Sequence, residues 1–139
     1  MWRILIPALF LAGCAQLPPS PADGQAKKFD AVPGKSVIYV ARARLDSPEG
    51  HTLTLDERST VTTYQGTYYR WEVDPGTHSI AGLGMGTARV TLSTTAGGVY
   101  FVRHTVMSDR QDGGVIYYAL RQVSDETGRD LVTRGQLVQ

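Results

Sequence analysis

One cysteine, Cys14, occurs in the whole chain of 139 residues. A lone thiol cannot close an internal bridge, so the disulfide framework on which many small exported domains depend is excluded. Charge of one sign is also missing. The chain has 14 basic and 13 acidic residues, and a leader containing Arg3 would take one basic residue with it. Its arginines, among them Arg42, Arg58, Arg70, Arg89, Arg103 and Arg121, are scattered among acidic and hydroxyl residues. A surface that tracks phosphates gathers them on one face, so no nucleic-acid partner is expected. The only long apolar run, residues 4–12, is interrupted by Pro7. It is far shorter than the roughly 20 residues that cross a bilayer as a helix. Beyond it no long stretch repeats with helical period, which argues against a bundle or alternating βαβ units.

That short run has a setting of its own. Met1-Trp2-Arg3 places one positive charge ahead of it, and Ala12-Gly13 supply small side chains just before Cys14. This is the three-part layout of an export signal. Residues 11–14, Leu-Ala-Gly-Cys, resemble a lipobox, at which bacterial lipoproteins are acylated on the cysteine sulfur and then cut between Gly13 and Cys14. The resemblance implies a signal peptide over 1–13 and a mature chain beginning at a lipidated Cys14. Each buried methylene contributes about 0.8 kcal/mol, and since one acyl chain binds only marginally, two or three give lasting attachment. The residue after the cysteine is Ala15, not the Asp associated with inner-membrane retention, so an outer-membrane anchor with the domain facing the periplasm is expected. Residues 14–32, with Pro18, Pro19, Ser20, Pro21, Asp23 and Gly24, read as a lipidated N-terminus and flexible tether without regular structure, holding the domain tens of ångströms from the bilayer.

Residues 33–139 carry runs of β-branched and aromatic side chains separated by Gly, Pro, Asp and Ser clusters. Residues 36–44 read as a first, central strand, because both of its faces begin apolar. Short strands follow at 52–55 and 61–64, the latter meeting 67–73 across Gln65-Gly66 as a hairpin. Period two within 67–73 sends Tyr69, Trp71 and Val73 inward and Tyr68, Arg70 and Glu72 outward. Further strands are expected at 77–81, at 88–93 with Ala88, Val90 and Leu92 inward, at 99–106 and at 115–123. A short helix over 124–132 would use Ser124 as its N-cap. The expected fold is mainly β: an antiparallel sandwich, transthyretin-like or similar, of seven or eight short strands. About a hundred folded residues bury roughly two-thirds of their unfolded surface, enough for stability without disulfide or metal.

Three segments together resemble the DUF2846 family of small bacterial lipoproteins: residues 33–42 (PGKSVIYVAR), 66–78 (GTYYRWEVDPGTH) and 97–103 (GGVYFVR). The resemblance covers about three-quarters of the mature chain and implies location and fold. It brings no catalytic residues. The glycine-rich stretch 82–86 and Arg103-His104 within a strand depart from its pattern.

Chemistry is harder to find. His51, His78 and His104 lie in a turn, after Pro75-Gly76 and in a strand, with no spacing that would converge them as zinc ligands, so no metal or cofactor is expected. Ser79, His78 and Asp74 could be drawn as a triad, but no G-x-S-x-G elbow accompanies them. The glycines at 82, 84 and 86 lack the strand, helix and Lys-Ser/Thr of a phosphate loop. What stands out is the aromatic content, Tyr64, Tyr68, Tyr69, Trp71, Tyr100, Tyr117 and Tyr118. Of these, Tyr68 with Arg70 on the outward face is the candidate interaction surface for a protein or cell-wall partner, against the plainer reading of cross-strand packing. The function expected is that of a non-enzymatic interaction or structural module of the bacterial envelope. The alternatives are an accessory docking lipoprotein of a secretion or envelope-stress system and a hydrolase of envelope polymers.

Overall fold

The computed structural model describes residues 20–83, 88–109 and 114–139, so Gly13, Cys14 and the lipobox lie outside the described residues. Two sheets face each other. The first contains, in spatial order, β8 (Val115–Val123), β7 (Val99–Asp109), β1 (Ser36–Ala41), β4 (Thr67–Val73) and β9 (Gln136–Leu137). The second runs β3 (Ser59–Thr63), β2 (His51–Leu55), β5 (Gly76–Gly82) and β6 (Arg89–Thr94). Among the described residues two helices complete the fold, α1 (Pro21–Ala26) and α2 (Asp125–Arg134).

The mainly β sandwich with a short C-terminal helix is what the alternating pattern implied. β1 is central, as its doubly apolar sequence required, and all six of its residues are buried. Ile38 and Val40 meet Trp71, Leu53, Ile80, Leu92 and Val102 between the sheets. Val37, Tyr39 and Ala41 face the other way, onto Tyr68, Phe101, Ala26 and Val132. The pairing is not wholly antiparallel: β1 lies parallel to β7, and β9 parallel to β4. A parallel neighbour requires a crossover, which the chain supplies by passing through the second sheet between β1 and β7.

The hairpin expected between 61–64 and 67–73 does not form. A tight turn is present at Gln65-Gly66, with Gly66 at φ 67° and the Thr67 hydroxyl donating to the Tyr64 carbonyl, but it is a corner that carries the chain from one sheet to the other. β3 pairs instead with β2, and β4 with β1. The β2–β3 hairpin turns at Asp56 and Glu57, both at positive φ (51° and 58°) without glycine. The Asp56 carboxylate accepts from the Ser79 backbone N–H at 2.8 Å and meets His78 Nδ1 at 2.7 Å, so neighbouring β5 holds the turn in a left-handed conformation that Asp tolerates better than most residues.

The stretch read as tether is corrected from Ser20 onward. Pro21 at the first helical position and Ser20 as N-cap, its hydroxyl accepting from the Asp23 N–H, start a helix where proline content had argued against one. The helix is docked. Asp23 is buried, with Oδ1 accepting from the Tyr68 hydroxyl (2.8 Å) and the Leu137 N–H (2.9 Å), and Oδ2 paired with Lys27 (2.8 Å). The Tyr39 hydroxyl donates to the Ala26 carbonyl, and Phe29 packs edge-on against Phe101. Together with α2, this segment forms a third layer over the outer face of the first sheet.

Helix α2 begins at Ser124, whose hydroxyl accepts from the Thr127 N–H, as the capping pattern implied. It carries Gly128 over the Phe101 ring, where an added Cβ would lie 2.1 Å from a ring carbon. No rotamer of Phe101 resolves an overlap that includes its own Cβ at 2.2 Å. Gly128→Ala should therefore lift α2 from the sheet and cost about 3 kcal/mol, at the upper end of overpacking, although alanine is the better helix former. A urea midpoint unchanged from wild type would contradict this packing.

Candidate functional site

The residues singled out for an exposed surface separate. Tyr68 is fully buried under α1, with its hydroxyl on Asp23 and its titration pushed up by burial and by that carboxylate, so it presents nothing to a partner. Alternation within β4 placed it opposite Trp71 correctly, but both faces of the strand are covered. Arg70 is half-buried and lines a cleft of about 510 Å³ between α1 and the C-terminal residues. Its guanidinium donates to the Tyr39 hydroxyl and to Glu72, which together hold it in place and raise its pKa against the opposing effect of burial. The bases for a triad do not assemble either. His78 sits between the Asp56 carboxylate and the Asp74 carbonyl, while the Ser79 hydroxyl accepts from Arg89. Of the glycine stretch, Gly82 ends β5 against His51, and residues 84–87 lie outside the described residues.

The fold does bring two histidines together, contrary to the reading of their spacing. His51 opens β2 and His104 lies in β7, on different sheets, and their side chains meet between them with Nδ1 of His51 3.0 Å from Nε2 of His104. Both are buried, His104 completely. The surrounding bonds set the proton positions. The Thr63 hydroxyl donates to the His51 carbonyl, which leaves its oxygen to accept from Nδ1–H of His104; Nε2 of His104 must then accept from Nδ1–H of His51. Tyr118 stacks on the His51 ring at 3.8 Å between centroids. Burial, the neighbouring His51 and the charge of Arg42 hold His104 down to about 3, and burial with Arg42 lowers His51 as well. Both rings are neutral at pH 7.

Arg42 closes the cluster. It follows β1 and is almost wholly buried, yet its guanidinium is not principally an ion-pair partner. It donates to the backbone carbonyls of Glu49 (2.8 Å), Thr63 (2.9 Å) and Ser47. Asp46 stands 3.9 Å from Nε, and that Nε has no hydrogen-bond partner. The Asp46 carboxylate accepts instead from the Val106 N–H, and Ser47 N–H donates to the Val106 carbonyl. One polar network thus ties the loop after β1 to β3 and β7 and plugs one end of the sandwich. No family model matches this chain, and no curated protein does. Among the described residues, no three His, Cys, Asp or Glu side chains converge to hold a metal.

The same end of the molecule carries the three most exposed large apolar residues among the described ones. Leu45, in the loop that Arg42 braces, is 99% exposed, and Met107 and Tyr117, which face each other across the β7–β8 hairpin, are 57% and 53% exposed. With Ser47 and Ser108 they line a shallow depression. No helix among the described residues is long and apolar enough to cross a membrane.

Proposed function

We propose that this chain is a lipid-anchored, non-catalytic module of a bacterial envelope, held through Cys14 on the periplasmic face of the outer membrane and presenting a surface to a partner there. One observation carries the reading: the three histidines and Arg42 are held in internal bonds, while apolar residues are left in solvent. His104, His51 and Arg42 are sealed between the sheets, and His78 is held by Asp56 and Asp74. Leu45, Met107 and Tyr117 have no such role, and exposed apolar groups gathered at one place mark contact surfaces. The resemblance to DUF2846 belongs to this proposal. Its three segments fall on β1, on β4 with the start of β5, and on β7, so they include the three adjacent strands at the centre of the first sheet.

Expression of the full chain in a Gram-negative host should yield a mature protein whose mass includes acyl chains on Cys14 and which sediments with outer membranes. Cys14→Ser should carry no lipid and should be lost from the outer-membrane fraction. A wild-type chain that matures without acyl mass would end the proposal. Crosslinking in intact envelopes then reads the partner, and recovery of the same proteins with wild type and Cys14→Ser would remove the interaction half of it.

A further inference from the structure

We infer that the end of the domain bearing Leu45, Met107 and Tyr117 rests in the headgroup boundary of the bilayer that holds the anchor, so that the folded domain has a fixed orientation on the membrane. The inference rests on the acylation of Cys14 proposed above, and it adds which face of the domain meets the lipid.

Reach is the first argument. Ser20, the cap of the docked helix, lies six residues after Cys14, and six residues span at most about 20 Å fully extended. The domain therefore lies close to the bilayer whatever its orientation. Position is the second. Ser20 caps α1 at Asp23, and Asp23 is bonded to Tyr68 and Leu137, level with Ala41, the last residue of β1. The chain thus joins the domain toward the end from which β7 and β8 project. Ala41 pairs with Arg103, and Met107 lies four residues further out, about 13 Å beyond that level at ~3.3 Å per residue. The reach of the anchor, at most about 20 Å, therefore covers the projection of the hairpin, about 13 Å.

Face is the third. Along β7, Phe101, Arg103, Thr105 and Met107 share one side by alternation, and their partners include Arg121 and Tyr117. Phe101 packs under α1 and α2, so Met107 and Tyr117 lie on the helix-covered face, the same face on which the chain joins the domain, just where the helices no longer cover it. The chemistry suits a lipid boundary. Leu45 and Met107 are apolar, Tyr117 has an apolar ring and a polar tip, and Arg103 and Arg121 are exposed four residues further back on the same face, where long cationic side chains extend toward phosphate groups. A second copy of the chain or a protein partner could also cover apolar residues, but neither would account for their placement on the anchored face and end.

The test uses the full acylated protein in vesicles of phosphatidylethanolamine and phosphatidylglycerol containing phospholipid brominated on its acyl chains. Leu45→Trp places a reporter at the proposed contact, and Ala96→Trp places one in the exposed turn between β6 and β7, at the opposite end of the sandwich; Trp71, buried in the core, is the shared background. Intact mass establishes acylation first. The expected result is a shift of the added emission of Leu45→Trp to shorter wavelength with strong quenching by the brominated lipid, while Ala96→Trp is quenched several-fold less. Equal quenching at the two positions, or no quenching at 45, overturns the orientation and leaves the anchor standing. A shift at 45 without quenching shows that protein covers this end and also overturns it. A mature chain with no acyl mass overturns the anchor reading and this inference with it.

Discussion

Arg42→Ala should cost about 3–5 kcal/mol, a large share of the roughly 5–15 kcal/mol that holds a domain of this size together. The loss has three parts. The carbonyls of Glu49, Thr63 and Ser47 would lose their donors inside the protein, and each buried acceptor left without one costs about 1–3 kcal/mol. The volume of a long side chain would be left between the sheets. The loop after β1 would lose its tie to β3, exposing the histidine pair behind it to water. Asp46 provides the control. Were Arg42 held by ion pairing, removing the acid would cost nearly as much as removing the base. The 3.9 Å separation from Nε and the three carbonyl bonds predict otherwise: Asp46→Asn, which keeps an oxygen for the Val106 N–H, should cost only about 1 kcal/mol. Urea unfolding of both variants measures the difference, and equal losses would show that the charge pair, not the carbonyl set, fixes the loop. Arg42→Lys should recover only part of the loss, because an ammonium offers three donors at one point where a planar fork is needed.

Much of this architecture is legible in residue order, and the failures have a common cause. Period two in residues 67–73 and 88–93 identified the inward sets, the doubly apolar start of 36–44 identified the central strand, and Ser124 identified the cap of α2. Each of these is local. What was missed depends on elements distant in sequence. The Gln65-Gly66 turn carries ordinary turn chemistry, yet whether it joins neighbours within a sheet or swings the chain to another is decided by which strand β1 accepts beside it. The Asp56-Glu57 hairpin lacks the usual Asn-Gly signal because its left-handed backbone is held by Ser79 and His78 from β5. Docking of α1 was hidden by proline content, although Ser20-Pro21 is itself a helix-start signal; the buried use of Asp23 needed Tyr68 and Leu137 to be seen. His51 and His104, 53 residues apart, could be joined only by a fold that lays β2 over β7. Arg42 looked like one more scattered surface charge. The one hint available was its position directly after five apolar residues of a central strand, where continued alternation leaves no route to solvent.

Acidification should destabilise the domain well before its carboxylates titrate, because His104 is neutral in the fold at a pH where the unfolded chain takes up a proton. The unfolded imidazole titrates near 6.5, and in the folded state burial, His51 and Arg42 hold it down to about 3. The unfolded state therefore binds the extra proton across the window between those values, and folding stability falls as pH falls, approaching ~1.4 kcal/mol per pH unit from this group alone. The stabilisation is complete above pH 6.5 and is lost progressively toward pH 3; His51, lowered for the same reasons, steepens the fall. The hydrogen bonds oppose that proton as well: on Nε2 of His104 it would face the Nδ1–H of His51, and only a shift of the His51 proton to its own Nε2 would restore an acceptor. His78 works oppositely. Its pKa is raised by Asp56 and Asp74 in spite of burial, so its contribution is fully present below pH 6.5 and fades as pH rises through its folded value. Asp23 and Asp56 are lowered and lose their contributions only below the ordinary carboxylate range. Between pH 6.5 and 4, then, the buried pair governs the slope. Urea midpoints should fall steadily over that interval for wild type, and His104→Gln, less stable at neutral pH, should show a slope shallower by about one proton. A wild-type imidazole signal of His104 titrating near 6.5, or an unchanged slope in the glutamine variant, would show that the pair is open to water and that Arg42 and Thr63 do not seal this end of the sandwich.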